Sequence, residues 1–398
     1  MKILVLNCGS SSVKYKLIHT TSKEVLAQGG IEKIGLKGSF LKLTLPNGDK
    51  AVLEGEIMEH NAAIEYILGV LLSEKYGCIK SLEEIDAVGH RVVHGGDKFN
   101  SSVLITDEVI AKMVECIDIA PLHNPPNLKG IYAVKELMPN VPQVGVFDTA
   151  FHQTMPKKAF MYGIPYELYE KYGIRRYGFH GTSHRYVSQR ACEYLGLDPK
   201  NSKLITCHVG NGGSIAAIKN GESVDTTMGF TPVEGLLMGT RAGDIDAGII
   251  TFLMEKEGIG AAEISSLLNK QAGVMGLSGV SSDMRDIFDA IAQGNERAAM
   301  TLELYDYRII KYIGAYAAAL NGVDAIIFTG GVGENQWESR AEICKALEYL
   351  GVEFDEQKNH KLRGQEAIIT KPTSRVKVAV VPTDEEMMIA EDTKMILA

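Results

Sequence analysis

The sequence predicts an α/β protein made of two similar halves, each led by a β-hairpin. Residues 2–19, KILVLNCGSSSVKYKLIH, are an apolar run, a turn of Gly and Ser, and a second apolar run, which is a strand-turn-strand pattern. Residues 203–226, KLITCHVGNGGSIAAIKNGESVDT, follow the same plan. Aligning Lys2 with Lys203, an offset of 201 positions, brings Asn7 onto His208 and Gly9 onto Gly210. Self-similarity at half the chain length is the mark of a duplicated domain. On pattern alone the alternative stays open that any two hairpins look alike.

The elements follow in order. The first 60 residues read as an antiparallel meander, KILVLNCG, SVKYKLIH, EVLAQGGIEKI and SFLKLTLPNGDKAVLEGE, broken at Ser-Ser, Gly and Asn-Gly. Helical spacing appears in NAAIEYILGVLLSEKYG, then a buried strand in IDAVGHRVVHGG, helices in TDEVIAKMVECIDIA and PNLKGIYAVKELM, and a strand in PQVGVFDTAF. After the second hairpin come helices in DAGIITFLMEKEG, DMRDIFDAIAQG and ERAAMTLELYDYRIIKYIGAYAAALNG, a strand in DAIIF, and helices in ESRAEICKALEYLG and DEEMMIAEDTKMILA. A weaker echo links IDAVGHRVVHGG with VDAIIFTGGVGEN. No low-complexity linker parts the halves, and the cleft between two stacked halves is the expected ligand site.

Composition narrows the partners. A chain of 398 residues exceeds one ordinary core, so two domains are expected. The formal charge of -9 argues against nucleic acid or an anionic membrane as a general partner, so any phosphate site must be local. Six scattered cysteines without a C-x-x-C pair fit neither a disulfide framework nor a zinc ribbon, and point to a reducing, cytosolic compartment. The apolar core of MKILVLNCG is only about five residues, short for a secretory signal. No run approaches the roughly 20 apolar residues of a membrane span.

Chemistry concentrates in a few segments. The turns at residues 7–12 and 208–214 gather small residues whose backbone N–H groups and hydroxyls can converge on an anion, although Gly, Asn and Ser are also ordinary hairpin residues. Two such turns in matching positions favour nucleotide phosphates. Gly330 to Asn335 lie between an apolar strand and a helix, a second backbone approach for a nucleotide. Neither G-x-G-x-x-G nor a Walker A pattern occurs, which disfavours those nucleotide sites. Arg91 in GHRVVHGG and Arg241 in MGTRAGDIDAG sit among small residues, where a guanidinium can reach phosphate or carboxylate or simply pair with a nearby acid. His180 and His184 lack the glutamate of H-E-x-x-H, and with Thr182 or Ser183 as an N-cap they straddle a helix start, so zinc is not expected. An ordinary loop histidine is the simpler reading of that segment alone. Asp148 ends a strand, where active-site groups gather in α/β folds. Asp384, Glu385 and Glu386 open the last helix, as dipole partners or as the carboxylates of a magnesium site, and Asp283 reads first as an N-cap.

Together these segments resemble the acetokinase family, within the sugar kinase, Hsp70 and actin superfamily. LVLNCGSSSVKY and LITCHVGNGGSIAA are similar to its two signatures, and GHRVVHGG, FDTAFHQTMP, YGFHGTSH, MGTRAGDIDAG, FTGGVGEN and PTDEE follow in the family's order along the whole chain. The resemblance implies duplicated ribonuclease H-like (actin-like ATPase) domains, each a five-stranded mixed sheet flanked by helices. Residues 1–150 with 384–398 would form the acyl-substrate domain and residues 151–383 the nucleotide domain. It implies a cytoplasmic homodimer acting on small molecules, transferring the γ-phosphoryl of ATP to acetate reversibly with magnesium, or manganese in its place. By the same resemblance Arg91, Arg241 and His180 act on the transferring phosphoryl group, and Asp148 carries the family's acid/base label. Asn7 and Glu385 match the metal positions, and Val93, Leu122, Phe179 and Pro232 the apolar pocket. Lys14, His208, Val209, Gly210, Asn211, Gly212, Asp283, Met284, Arg285, Gly331, Val332, Gly333, Glu334 and Asn335 match the nucleotide contacts. Propionate or butyrate kinase, and a superfamily ATPase or phosphohydrolase, are the alternatives. Acetate is already ionised at neutral pH, so Asp148 is expected to position groups rather than to act as a base.

Overall fold

The computed structural model describes residues 1–45 and 47–398; Pro46, in the LPNG turn segment, lies outside the described residues. The chain divides into two compact units, residues 1–153 with 384–398, and residues 154–383.

The first unit holds strands β1 (Lys2–Cys8), β2 (Ser12–His19), β3 (Glu24–Glu32), β4 (Phe40–Thr44), β5 (Lys50–Glu54), β6 (Ala87–Val92), β7 (Val103–Leu104) and β8 (Gln143–Phe147). They form one mixed sheet in the order β5-β4-β3-β2-β1-β6-β8-β7. The expected meander is β1 to β5, and β6 and β8 add in parallel. A central strand covered on both faces needs an unbroken apolar run rather than alternation, and β1 has one. Leu4 and Leu6 share a core with Ile64 and Ile67 of helix α1 (His60–Leu72) and Val134 of helix α2 (Asn124–Leu137). On the other face Ile3 and Val5 pack with Val144, Val146, Met387 and Ile389. The last two belong to the C-terminal helix (Glu385–Leu397), which crosses close to β6 at Gly89. A Cβ there would lie 2.6 Å from both Ile389 Cγ2 and Thr393 Oγ1.

The second unit repeats the plan with β9 (Lys203–Val209), β10 (Gly213–Lys219), β11 (Glu222–Thr226), β12 (Ala325–Thr329), β13 (Ala367–Ile368) and β14 (Lys377–Val380), in the order β11-β10-β9-β12-β14-β13. The core β3-β2-β1-β6-β8 and the core β11-β10-β9-β12-β14 have the same order and strand directions. Strands β4, β5 and β7, and β13, are additions to the expected five. Ile3 pairs with Ala87, and its counterpart Leu204 pairs with Ala325, so even the parallel register is shared.

Two local expectations are corrected. Helix α3 (Gly181–Leu195) has His180, with a φ of 56°, as its N-cap, so it starts two or three residues earlier than a Thr182 or Ser183 cap would place it. The Ser183 hydroxyl is engaged elsewhere, with His208 and Thr383. Residues Gly330–Asn335 are themselves a short helix, followed by a separate helix Trp337–Lys345, rather than a turn feeding one helix. Gly330 makes this possible: its φ is +80°, and a Cβ would lie 2.8 Å from the Val209 carbonyl oxygen.

Candidate active site

In each unit the candidate residues collect at the carboxyl ends of the central strands, where open α/β sheets bind ligands. In the first unit Asn7 closes β1 and pairs across the hairpin with the exposed Lys14. The turn between them is shaped by Gly9, whose N–H donates to the Ser12 carbonyl at 2.8 Å and whose carbonyl accepts from His60 Nε2 at 2.7 Å. Asn127 on α2 ties β1 to the segment after β6, donating to the Cys8 carbonyl at 2.8 Å and accepting from Val93 N–H at 3.0 Å.

Arg91 and Asp148 meet because β6 and β8 are parallel neighbours in register, Arg91 beside Val146. Arg91 Nε donates to both Asp148 oxygens at 3.2 Å, and Nη2 donates to Oδ2 at 2.7 Å. Asp148 is 1% exposed, and its carboxylate, against the opposing effect of burial, pushes the Arg91 guanidinium still further up from its ordinary value. Glu385, the first residue of the C-terminal helix, is half-buried, but its Oε1 is closed off from water and has no hydrogen-bond partner. Burial pushes its carboxyl up to about 7; Arg91 opposes this, and Asp148, Glu386 and Asp384 add to it. Asp384 is the N-cap, accepting from Met387 N–H at 3.1 Å, and with Glu386 it faces Lys16. Glu385 is thus the one of the three with a buried, unpartnered oxygen, which fits a magnesium ligand completed by phosphate oxygens and water. Val93 is half-buried and Leu122 is 60% exposed.

The second unit holds the nucleotide-type features. A cavity of about 450 Å³, within the range of small-molecule sites, is lined by Gly210, Asn211, Asp283, Arg285, Gly331 and Asn335 among others. The turn after β9 closes on itself, Gly210 N–H donating to the Gly212 carbonyl at 3.0 Å. Gly212 is where Arg241 and His180 converge: a Cβ there would lie 3.5 Å from Arg241 Nη1 and 3.7 Å from His180 Nε2. Arg241 also donates to the Pro232 carbonyl at 3.3 Å. Phe179 is buried and Pro232 half-buried. The His180 ring stacks on His208, with centroids 4.3 Å apart. Asp283 caps the helix Met284–Ala292, accepting from Arg285 N–H at 2.9 Å, and grips the Arg285 side chain; that hydrogen bonding holds its carboxyl down at about 2. Glu334 is turned inward: its Oε1 accepts from Gly330 N–H at 2.9 Å, Thr383 N–H at 3.1 Å and Thr329 Oγ1 at 3.2 Å. Through this oxygen it ties the backbone at Gly330 to that at Thr383.

Sequence reasoning missed the polar residues behind His180, namely Thr206, Ser214 and the role of His184. No local signal joins them, because His180 is the left-handed N-cap of α3 and lies outside the helix that carries His184.

A duplicated mixed sheet with arginine, histidine and glycine turns at its strand ends is the construction of an actin-like phosphotransferase. A model of the acetokinase family matches residues 2–391. Acetate kinase of Azobacteroides pseudotrichonymphae is 69% identical over 398 residues, all of this chain and all of that protein. The crystal structure of Porphyromonas gingivalis acetate kinase superposes with a TM-score of 0.97 at 63% identity, covering 100% of both chains. A propionate kinase from Francisella tularensis superposes at 0.92 with 42% identity, covering 99% of each. The chain belongs to the acetokinase family.

Proposed function

We propose that the protein transfers the γ-phosphoryl group of ATP to acetate, reversibly, giving acetyl phosphate and ADP. The observation that carries this is the convergence of Arg241 and His180 on Gly212, next to the two turn residues that line a nucleotide-sized cavity. A phosphoryl group in flight needs positioning and charge neutralisation more than covalent help. Arg241 and His180 supply donors for its oxygens. The second unit is the nucleotide side, with Gly210, Asn211, Asp283, Arg285 and Gly331 about the nucleotide. The first unit is the acyl side, where Arg91 receives the acetate carboxylate and Val93 and Leu122 offer apolar surface, as Phe179 and Pro232 do in the second.

Magnesium would be held by Glu385 and Asn7, with Asp148 acting through water, and would supply neutralisation of phosphate charge. Asp148 needs no acid/base role, since acetate arrives ionised and both its oxygens are already committed to Arg91. Apolar side chains exposed on and beside the helix Gly248–Glu257, Ile245, Ile249 and Phe252, support a homodimer. No helix of the described residues is long and apolar enough to cross a membrane, and the protein works in the cytoplasm.

Trapping acyl phosphate with hydroxylamine tests the proposal, using acetate, propionate and butyrate in parallel. Acetate should give the highest kcat/KM, since one methylene discriminates by only about 1–3 kcal/mol. Preference for propionate would move the chain beside the Francisella enzyme, and ATP hydrolysis without hydroxamate would sink acyl transfer altogether.

A further inference from the structure

Behind His180 runs a chain of four hydrogen-bonded side chains, all in the second unit. Thr206 Oγ1 lies 2.7 Å from His184 Nδ1, His184 Nε2 lies 2.8 Å from Ser214 Oγ, and Ser214 Oγ lies 2.9 Å from His180 Nδ1. Thr206, His184 and Ser214 are 0% exposed, whereas His180 is half-buried and reaches Gly212 beside Arg241. Strands β9 and β10 supply the hydroxyls, and α3 and its N-cap supply the two imidazoles.

A neutral imidazole has one donor and one acceptor nitrogen, and a hydroxyl has a single hydrogen. Three arrangements fill every bond. In the first, every hydrogen points towards His180: Thr206 donates to His184 Nδ1, His184 Nε2–H donates to Ser214, and Ser214 donates to His180 Nδ1. In the second, each bond is reversed, and the Thr206 hydroxyl hydrogen is left over. In the third, Ser214 accepts from both imidazoles and its own buried hydroxyl hydrogen is left over, with no partner beyond the two rings among the described residues. Thr206 Oγ1 has no second partner among the described residues, and a buried donor without an acceptor is strongly disfavoured. The first arrangement wins.

We infer that Thr206, His184 and Ser214 are positioning residues that fix His180 as the neutral Nε2–H tautomer, so that its outer nitrogen is a hydrogen-bond donor without carrying charge. This rests on the proposed role of His180 as a donor to the transferring phosphoryl group. The reversed tautomer would present a lone pair to phosphoryl oxygens and repel them; the fixed one presents N–H to developing negative charge. The titratable and charged groups that face His180 include His208 stacked from β9, His184 through Ser214, and Arg241 across Gly212. Beside a guanidinium, a neutral donor avoids placing a second positive charge in the site.

The test is the ring ¹⁵N spectrum of histidine-labelled full-length protein, with the His180 signal assigned by its loss in His180→Asn. Wild type should show a protonated Nε2 and an unprotonated Nδ1 at pH 7. In Ser214→Ala, and in Thr206→Val, which keeps the side-chain shape, the signal should become a mixture of tautomers, and kcat should fall on the order of tenfold. In both variants kcat should recover as pH drops and the His180 ring protonates, because the imidazolium again donates from Nε2; wild type should lack that inflection. Thr206→Val carries the same test if Ser214→Ala does not fold. A protonated Nδ1 in the wild type, or unchanged spectra and pH profiles in both variants, would overturn the inference. Wild-type turnover in His180→Asn would instead remove His180 from phosphoryl transfer, while the spectrum would still decide its tautomer.

Discussion

Arg91 spends Nε and Nη2 on Asp148, which leaves Nη1 for the acetate carboxylate that the proposed function assigns to it. A guanidinium held this way is charged and already oriented before substrate arrives, which reduces what binding must order. Asp148→Asn should therefore lower kcat/KM by loosening Arg91, without a new pH dependence of kcat between pH 6 and 8. A new inflection there would restore the acid/base assignment. Cys8, conspicuous in the first turn, is 3% exposed, and burial pushes its thiol up to about 12, so almost no thiolate exists to act as a nucleophile. Cys8→Ala should keep wild-type kcat, and a loss of turnover in folded protein would overturn that. Asp306 is a buried carboxyl in the helix Glu296–Ala319 that burial pushes up to about 7, with Ser339 partly opposing and Glu342 adding. The folded protein holds that proton more tightly than the unfolded chain, so stability falls as pH rises from about 4 to about 7 and stays lowered above. Asp306→Asn should recover on the order of 3–4 kcal/mol at pH 8 and little at pH 4 in urea unfolding; equal effects at both pH values would count against it. Cys8 and Arg91 could be singled out by reading along the chain. The hydroxyl chain behind His180 could not, because its bonds join Thr206, His184 and Ser214 through strand pairing and helix packing that no local spacing encodes.

At the scale of elements, both hairpins were legible because β1 and β9 are covered on both faces and must be continuously apolar, while their turns must be small. The matching of Ile3–Ala87 with Leu204–Ala325 shows that the weak echo between residues 85–96 and 323–335 was a true pairing register. Helix starts were less legible. A left-handed His180 as N-cap violates the usual preference for Ser, Thr, Asp or Asn, and the structure tolerates it where Ser183 is needed to bond His208. Such local conflicts gather at functional sites. Gly89 is another element-scale constraint that no turn signal announced: it is a contact of strand with helix. Gly89→Ala should cost about 1–3 kcal/mol, by forcing the C-terminal helix off β6. Guanidinium unfolding measures this, and an unchanged midpoint would show that the helix is free to shift.

At the scale of the molecule, a ligand that binds only the folded second unit must stabilise it by mass action. ADP at 100 times its Kd should add about 2.7 kcal/mol, readable as a raised Tm in calorimetry, and an unshifted transition would argue against the cavity at Gly210 and Gly331 as the nucleotide site. The first unit is discontinuous in sequence, since the C-terminal helix follows the whole of the second. During synthesis the strands carrying Ile3, Val5, Val144 and Val146 therefore leave the ribosome long before Met387 and Ile389, which cover them. Residues 154–383 can complete their own core first. The nascent chain thus carries one naked sheet face until the helix Glu385–Leu397 emerges after the whole second unit, and that helix is what relieves it of chaperone binding and proteolysis.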